Sequence, residues 1–411
     1  MSRVVIVLVL AVGLALATER AEPVVAASNG APRFDRTVLG ASLFRAAWAY
    51  RHDRGWLDDQ LEFLAEHDFD AIRVLGEVGD PTAPDFWDGR EIDWRWPDYE
   101  SVIAGLTDLA YDRYGLRVQW TIFAGAPIAD RALRDEIVDR FLRMSRGRET
   151  KILAFEIANE YSKNGFPGAE GVTELARLAR RMKEATTVPV AASSHAPDLC
   201  GLYASDAADM ATFHFDRARR DLPSVILSES GCATLPPILS NNEPIGPGSS
   251  VESESDPYRI VADAANTYLA GMPIYIFHTG PGVRDDPYHP LGLRPSRLQD
   301  LRGIDRIIGS LYAMKGYLPA DVHLWARYKR EDPLHPFSIE GSVQSAVAAS
   351  RDARSVVVLS EISGPLVLTA QRDMNVEVVD PPTGEIRVRK RLTKGDRLTL
   401  DPSPGYILLS S

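Results

Sequence analysis

Short apolar runs alternate with amphipathic stretches through the first three quarters of the chain. VLGASLF (38–44), FDAIRVLG (69–76), LRVQWTIFAG (116–125), KILAFEIANE (151–160), VPVAASS (188–194), MATFHFD (210–216) and MPIYIFHTG (272–280) are bounded by polar or turn-forming residues and read as strands. Between them lie helical patterns, among them WLDDQLEFLAEHD, YESVIAGLTDLAYDRYG, ADRALRDEIVDRFLRMSR, TELARLARRMKEAT and DPYRIVADAANTYLAG, the last opened by an Asp cap. Strands alternating with helices imply right-handed crossovers and a parallel sheet. Near-continuous apolar strands fit burial on both faces. With one further strand between Asp216 and Met272, the pattern predicts a (β/α)8 barrel over about 240 residues, whose functional groups gather at the C-terminal strand ends.

The pattern changes after about residue 318. SVVVLSEI, GPLVLTA, NVEVVD, EIRVRKR, DRLTLD and GYILLS are short and partly alternating, with Gly, Pro, Asp and Asn between them. They predict an antiparallel β-sandwich domain. The expected organisation is a leader peptide over 1–17, a polar linker over 18–34, a barrel over 35–318 and the β-domain over 319–411.

Composition and charge narrow the function. A chain of 411 residues with 45% hydrophobic residues can bury a large barrel core. The formal charge of −11 argues against a nucleic-acid partner, which demands clustered Lys and Arg. Arg3 precedes the apolar run VVIVLVLAVGLALA, and Ala15-Leu16-Ala17 offers a small-x-small cleavage site. At about 14 residues the run is short for a bilayer and reads as an export signal. The mature protein is therefore expected to be secreted, extracellular or periplasmic, and not inserted in a membrane. The two cysteines, Cys200 and Cys232, either form one bridge, which an oxidising compartment would favour, or remain buried thiols.

The chemistry concentrates in FEIANEYSKNG. A buried strand running into Asn159-Glu160 places both at the barrel mouth. A rim carboxyl, partly desolvated beside a second carboxylate, is expected to have a raised pKa and to hold a proton. Such a group can protonate a glycosidic oxygen, while Asn159 binds a sugar hydroxyl. The alternative is a carboxylate that merely caps the next helix.

On these residues the barrel portion, roughly 36–315, resembles the clan A glycoside hydrolases, retaining (β/α)8 glycosidases that often carry an appended β-domain. The resemblance implies an acid/base Glu at the end of strand four, a nucleophilic Glu at the end of strand seven, an Arg near the end of strand two, an aromatic or His on strand six and an aromatic on strand eight. Arg73 matches the strand-two position, Asn159-Glu160 strand four, and His214 strand six. Asp216 stands where many relatives carry Tyr, and Phe277-His278 where a Trp is usual. The implied substrate is an oligo- or polysaccharide, with no cofactor.

Two glutamates compete for the nucleophile, Glu229 and Glu243. A strand ending at Glu229 leaves only about eight residues after Asp216, fewer than the ten to twelve a parallel crossover needs. A strand ending in PPILSNNE leaves room for a crossover, perfectly compatible with a short helix in LPSVILSES, and the two prolines sit at its opening. Topology favours Glu243, with Glu229 as the alternative nucleophile. Asn242 beside it and the Gly/Pro/Ser loop to Ser250 suit substrate contacts. Arg73 would keep the nucleophile ionised. Trp48, Trp120, Tyr161 and Phe277 are candidate sugar-stacking faces, and His278 a candidate substrate contact. Trp87, Trp94 and Trp96 share the loop DFWDGREIDWRW with Asp85, Asp88, Glu91 and Asp93.

Two rival readings remain. A metal-dependent hydrolase would draw on His52-Asp53, His214-x-Asp216 and His278, none of which has a tight metal spacing. A non-catalytic carbohydrate-binding or cell-envelope protein that retains the barrel would account for the departures at Asp216 and strand eight.

Overall fold

The computed structural model describes residues 34–78, 87, 89–125, 128, 130–194, 197–214, 232, 234–244, 246–247, 254–283 and 297–411. Eight parallel strands close a barrel in chain order, and the eighth pairs back onto the first. They are β1 (Val38–Ser42), β2 (Ala71–Glu77), β3 (Arg117–Phe123), β4 (Ile152–Ala158), β5 (Val190–Ser194), β6 (Met210–Phe213), β7 (Ile238–Asn241) and β8 (Ile274–Phe277). Every residue of β1, β2, β4 and β5 is buried, because helices cover one face and the barrel interior the other.

The helices end where local chemistry requires. Asp130 and Asp256 cap the helices Arg131–Ser145 and Pro257–Leu269 by accepting backbone N–H bonds. Gly115, at φ 71°, closes the helix Tyr99–Tyr114 in a left-handed conformation. Among the described residues no helix is long and apolar enough to cross a membrane. The apolar run after Arg3 and the segment LPSVILSES lie outside the described residues.

The lumen is layered. Val38, Ala71, Ala154, Met210, Ile238, Ile274 and Ile276 form an apolar floor joined by Phe34. Above it the inward positions turn polar: Arg73, Gln119, Thr121, Glu156 and Thr212 are all buried. Side-chain alternation along each strand sets this order, so Arg73 follows Ala71 inward and Glu156 follows Ala154.

After the last barrel helix, Ile304–Tyr317, nine strands build the β-domain: β9 (Ala326–Lys329), β10 (Phe337–Glu340), β11 (Val343–Arg351), β12 (Arg354–Ile362), β13 (Leu366–Ala370), β14 (Met374–Val379), β15 (Ile386–Leu392), β16 (Arg397–Leu400) and β17 (Ser403–Ser410). A six-stranded sheet, β15-β14-β17-β12-β11-β9, faces a three-stranded one, β10-β13-β16. Their core includes Phe337, Leu366 and Leu368 against Val357, Leu359 and Leu408. The other face of the larger sheet carries Val347, Val356, Val358 and Ile407 into the core of the barrel domain. Helix 257–269 touches β8 on one side and β11, β12 and β17 on the other, so nearly all of it is buried. Tyr258 Oη donates to Asp380 at 2.7 Å and Tyr317 Oη to the Pro381 carbonyl at 3.1 Å, across the same junction.

Candidate active site

Glu160 and Glu243 reach the mouth from opposite parts of the barrel. Glu160 lies two residues beyond β4, and Glu243 two residues beyond β7. The seventh strand is Ile238–Asn241, within the run predicted from crossover length. Glu229, the alternative nucleophile, lies outside the described residues, as do Asp216, Asp85 and Asp88.

His214, the residue after β6, joins the two glutamates. Its Nδ1 is 3.6 Å from Glu160 Oε1 and 3.6 Å from Glu243 Oε2. Those two oxygens are therefore no farther apart than twice that distance. At 3.6 Å both contacts are longer than an ordinary hydrogen bond. Among the described residues neither ring nitrogen has a hydrogen-bond partner.

Glu243 is nine-tenths buried and takes a hydrogen bond from Arg73 Nη1 at 2.8 Å. Arg73 is the third residue of β2, deep in the barrel rather than near the strand's end. Its other nitrogens are also engaged. Nη2 donates to Glu156 Oε2 and to Asn159 Oδ1, both at 2.9 Å, and Nε to Thr121 Oγ1 at 3.2 Å. Burial alone would depress the guanidinium, but Glu156 and then Glu243 hold it above its ordinary pKa. Removing one partner of a buried ion pair typically costs about 3–5 kcal/mol, so this cluster is rigid.

The Arg73 donor fixes Asn159. An amide facing a guanidinium must present its oxygen, which leaves Nδ2 as the end directed away from Arg73. Asn164 Nδ2 bonds the Asn159 carbonyl and shapes the turn after β4. Glu160 itself adopts φ 37°, a left-handed conformation uncommon for a residue with a side chain.

Glu160 departs from the expected electrostatics. Its carboxyl is held down at about 2, not raised. His214 contributes most, burial opposes it, and the Lys163 ammonium adds to the lowering from 2.7 Å. Lys163 is one turn downstream, where a helical turn returns it to Glu160. The carboxyl is about one-third exposed, so desolvation is too weak to win.

The remaining predicted contacts divide. Asn242 is fully buried; its Oδ1 accepts from Ser240 Oγ at 2.5 Å, and its Nδ2 has no partner among the described residues. His278 Nδ1 lies 3.0 Å from Ser42 Oγ, across the β8–β1 seam. Gly246 is pressed against the chain just after β8: a Cβ there would sit 1.9 Å from the His278 carbonyl oxygen. Trp48 is half-buried and stacks on His52, which meets Trp96 edge-on, with Arg51 4.7 Å above the Trp96 ring. This forms an aromatic wall on the β1–β2 side. Trp94 packs under Arg140.

Three aromatics proposed as stacking faces have other surroundings. Trp120 is fully buried, donating to Thr107 Oγ1 at 3.1 Å and packing on Phe141, because its position in β3 points outward to the helices. Phe277 packs on Phe69 for the same reason of alternation. Tyr161 is buried and donates to Asp198 at 2.9 Å. Cys200 and Cys232 are bridged, tying the helix Cys200–Ala204 to the segment before β7.

Two carboxyls were not singled out from the sequence. Glu156 sits in the polar layer, accepting from Thr121 Oγ1 at 2.6 Å and from Thr212 Oγ1. The strand pattern FEIA marks it as an inward polar position, and that was the available signal. Glu77, at the tip of β2, is pushed up to about 8 by burial and then by Asp93, against the backbone N–H of Gly125; its Oε2 has no partner among the described residues. Among the described residues no group of three or more His, Cys, Asp or Glu could hold a metal ion.

No protein-family model matches the chain, and no curated protein matches it in sequence. Solved structures do match in fold. A family 5 glycoside hydrolase from Bacteroides vulgatus superposes with TM-score 0.60 at 11% identity, covering 94% of this chain and 93% of its own. The trehalulose synthase from Pseudomonas mesoacidophila gives 0.59 at 13%, covering 93% and 100%. A family 30 endoxylanase from Clostridium papyrosolvens gives 0.51 at 11%, covering 93% and 98%. The chain thus has the fold of barrel glycoside hydrolases, an eight-stranded parallel barrel followed by an antiparallel β-domain.

Proposed function

We propose that the protein is an exported retaining glycoside hydrolase acting on an oligo- or polysaccharide by double displacement. Glu243 is the nucleophile and Glu160 the acid/base. The observation that carries this reading is the approach of both carboxylates to one ring nitrogen, with Arg73 bonded to Glu243. Retention requires carboxyl groups about 5–5.5 Å apart, a span that fits two groups flanking one imidazole. Arg73 keeps Glu243 anionic for attack on the anomeric carbon. The leaving oxygen takes its proton from Glu160, which then activates water.

Glu160 must gain a proton before it can act. A sugar seated against it would strip water from the carboxyl and separate it from the exposed Lys163, and both changes raise its pKa. The aromatic wall of Trp48 and Trp96 would supply apolar faces for sugar rings. The solved structures of like fold support a carbohydrate substrate, and the apolar run after Arg3 supports export.

The test is a panel of aryl-glycosides and polysaccharides with Glu160→Gln and Glu243→Gln as controls. Both variants are expected to lose at least about 10³-fold in kcat, and proton NMR of the first product should show the starting anomer. A second reading, a barrel that binds glycans without cleaving them, is favoured by the low pKa of Glu160. It predicts binding with no turnover on the whole panel, and no adduct on Glu243 with a fluorosugar.

A further inference from the structure

Arg73 carries one positive charge between two buried carboxylates. Nη1 goes to Glu243 at 2.8 Å and Nη2 to Glu156 at 2.9 Å. Glu156 is fully enclosed and lies four residues before Glu160 on β4, one layer deeper in the lumen. Fully buried, its carboxylate is closed off from anything seated at the mouth. Thr121 from the adjacent β3 and Thr212 from β6, two strands away, donate to its two oxygens, so the carboxylate is held from two directions across the lumen. Nothing in that arrangement is needed to fill space: an apolar residue would close the layer, as Ala154 does one step below. A buried carboxylate with three donors is retained where its charge or its acceptors have a task.

We propose that Glu156 is a positioning residue for the nucleophile, acting through Arg73. This rests on the assignment of Glu243 above. Glu156 fixes the direction from which the guanidinium approaches Glu243 and shares its charge. With the guanidinium divided between two anions, Glu243 stays ionised yet is not so strongly stabilised that it loses nucleophilicity. Without Glu156, the whole cation would fall on Glu243 and the repulsion between the carboxylates would vanish, both lowering the Glu243 pKa. The other titratable groups around this cluster among the described residues are Glu160 and His214 at the mouth, Tyr203 beside Glu156, and His278, the residue after β8.

The experiment compares Glu156→Gln with the wild type in two ways. Carbon-13 NMR of glutamate-labelled protein, with the Glu243 resonance identified by its loss in Glu243→Gln, follows the Glu243 titration without requiring turnover. Its midpoint is expected to fall by about one pH unit in Glu156→Gln. On a hydrolysed glycoside, kcat should drop about 10–100-fold at little change in KM, and the acid limb of the pH profile should move down with the midpoint. Glu156→Asp, which keeps the charge, should restore the midpoint and the limb while kcat remains reduced. An unmoved midpoint in Glu156→Gln, with only a lower melting temperature, would overturn the proposal and leave Glu156 a structural residue. Should Glu156→Gln fail to fold, Glu156→Asp decides on kcat: unchanged kcat and KM overturn the proposal. If the wild type hydrolyses no glycoside, the functional reading fails, and the NMR midpoint still decides the positioning role.

Discussion

A single residue, Glu160, shows how local contacts set chemistry. Its sequence context announces a rim carboxyl, and general principles would raise its pKa. The fold brings His214 and Lys163 to it, and these win over partial burial. The ion pairs of Glu160 therefore add stability above the ordinary carboxylate pKa, and that stability is lost as pH falls toward about 2. Replacing Lys163 with Gln removes one lowering contribution. We expect the Glu160 pKa to rise by less than about one unit, since the Lys163 ammonium is exposed and screened. The basic limb of the kcat/KM profile should then shift to higher pH; a downward shift would contradict the acid assignment.

Among the elements, β7 and helix 257–269 are the instructive pair. Crossover length was enough to place the seventh barrel strand in the run leading to Glu243, because a right-handed crossover has a minimum length regardless of side chains. The amphipathic reading of helix 257–269 was incomplete, since the β-domain buries the face that a lone barrel would leave wet. One consequence is Asp263, buried on that helix beside Tyr275 and pushed up to about 8 by desolvation, which the Tyr275 phenol opposes. The folded protein holds this proton after the unfolded chain has released it. Stability is therefore highest below the ordinary carboxylate pKa and declines as pH rises toward about 8, by up to about 1.4 kcal/mol per unit from this group. Asp263→Asn should flatten that decline, raising the melting temperature at pH 8 more than at pH 5. Equal shifts at both would show that Asp263 does not titrate in this range.

At the scale of the molecule, barrel and β-domain share one core. Val356, Val358 and Ile407 belong to the same buried cluster as Tyr268 and Leu269 of the barrel. Each such side chain, if exposed, forgoes about 1.5–3 kcal/mol of burial. A chain ending at residue 318 should accordingly be insoluble or lack near-ultraviolet circular dichroism. The full chain should unfold in one calorimetric transition. Two separated transitions would show that the domains are independent.

Periodicity and chain order alone were sufficient for the alternation of strands and helices, the closed barrel, the change to antiparallel strands near residue 318, and the two strand ends that carry Glu160 and Glu243 to one mouth. These follow from short-range sterics and from burial of apolar faces, which leave a mark in linear order. Which side chains meet does not. Trp120 and Phe277 lie on strands at the right height but on the outward phase of the alternation, and an all-apolar strand hides that phase. Glu156 looks like any inward polar position until barrel closure sets β2, β3, β4 and β6 around one guanidinium. His214 midway between Glu160 and Glu243, and Lys163 against Glu160, likewise depend on distances across the lumen, which only the closed tertiary structure decides.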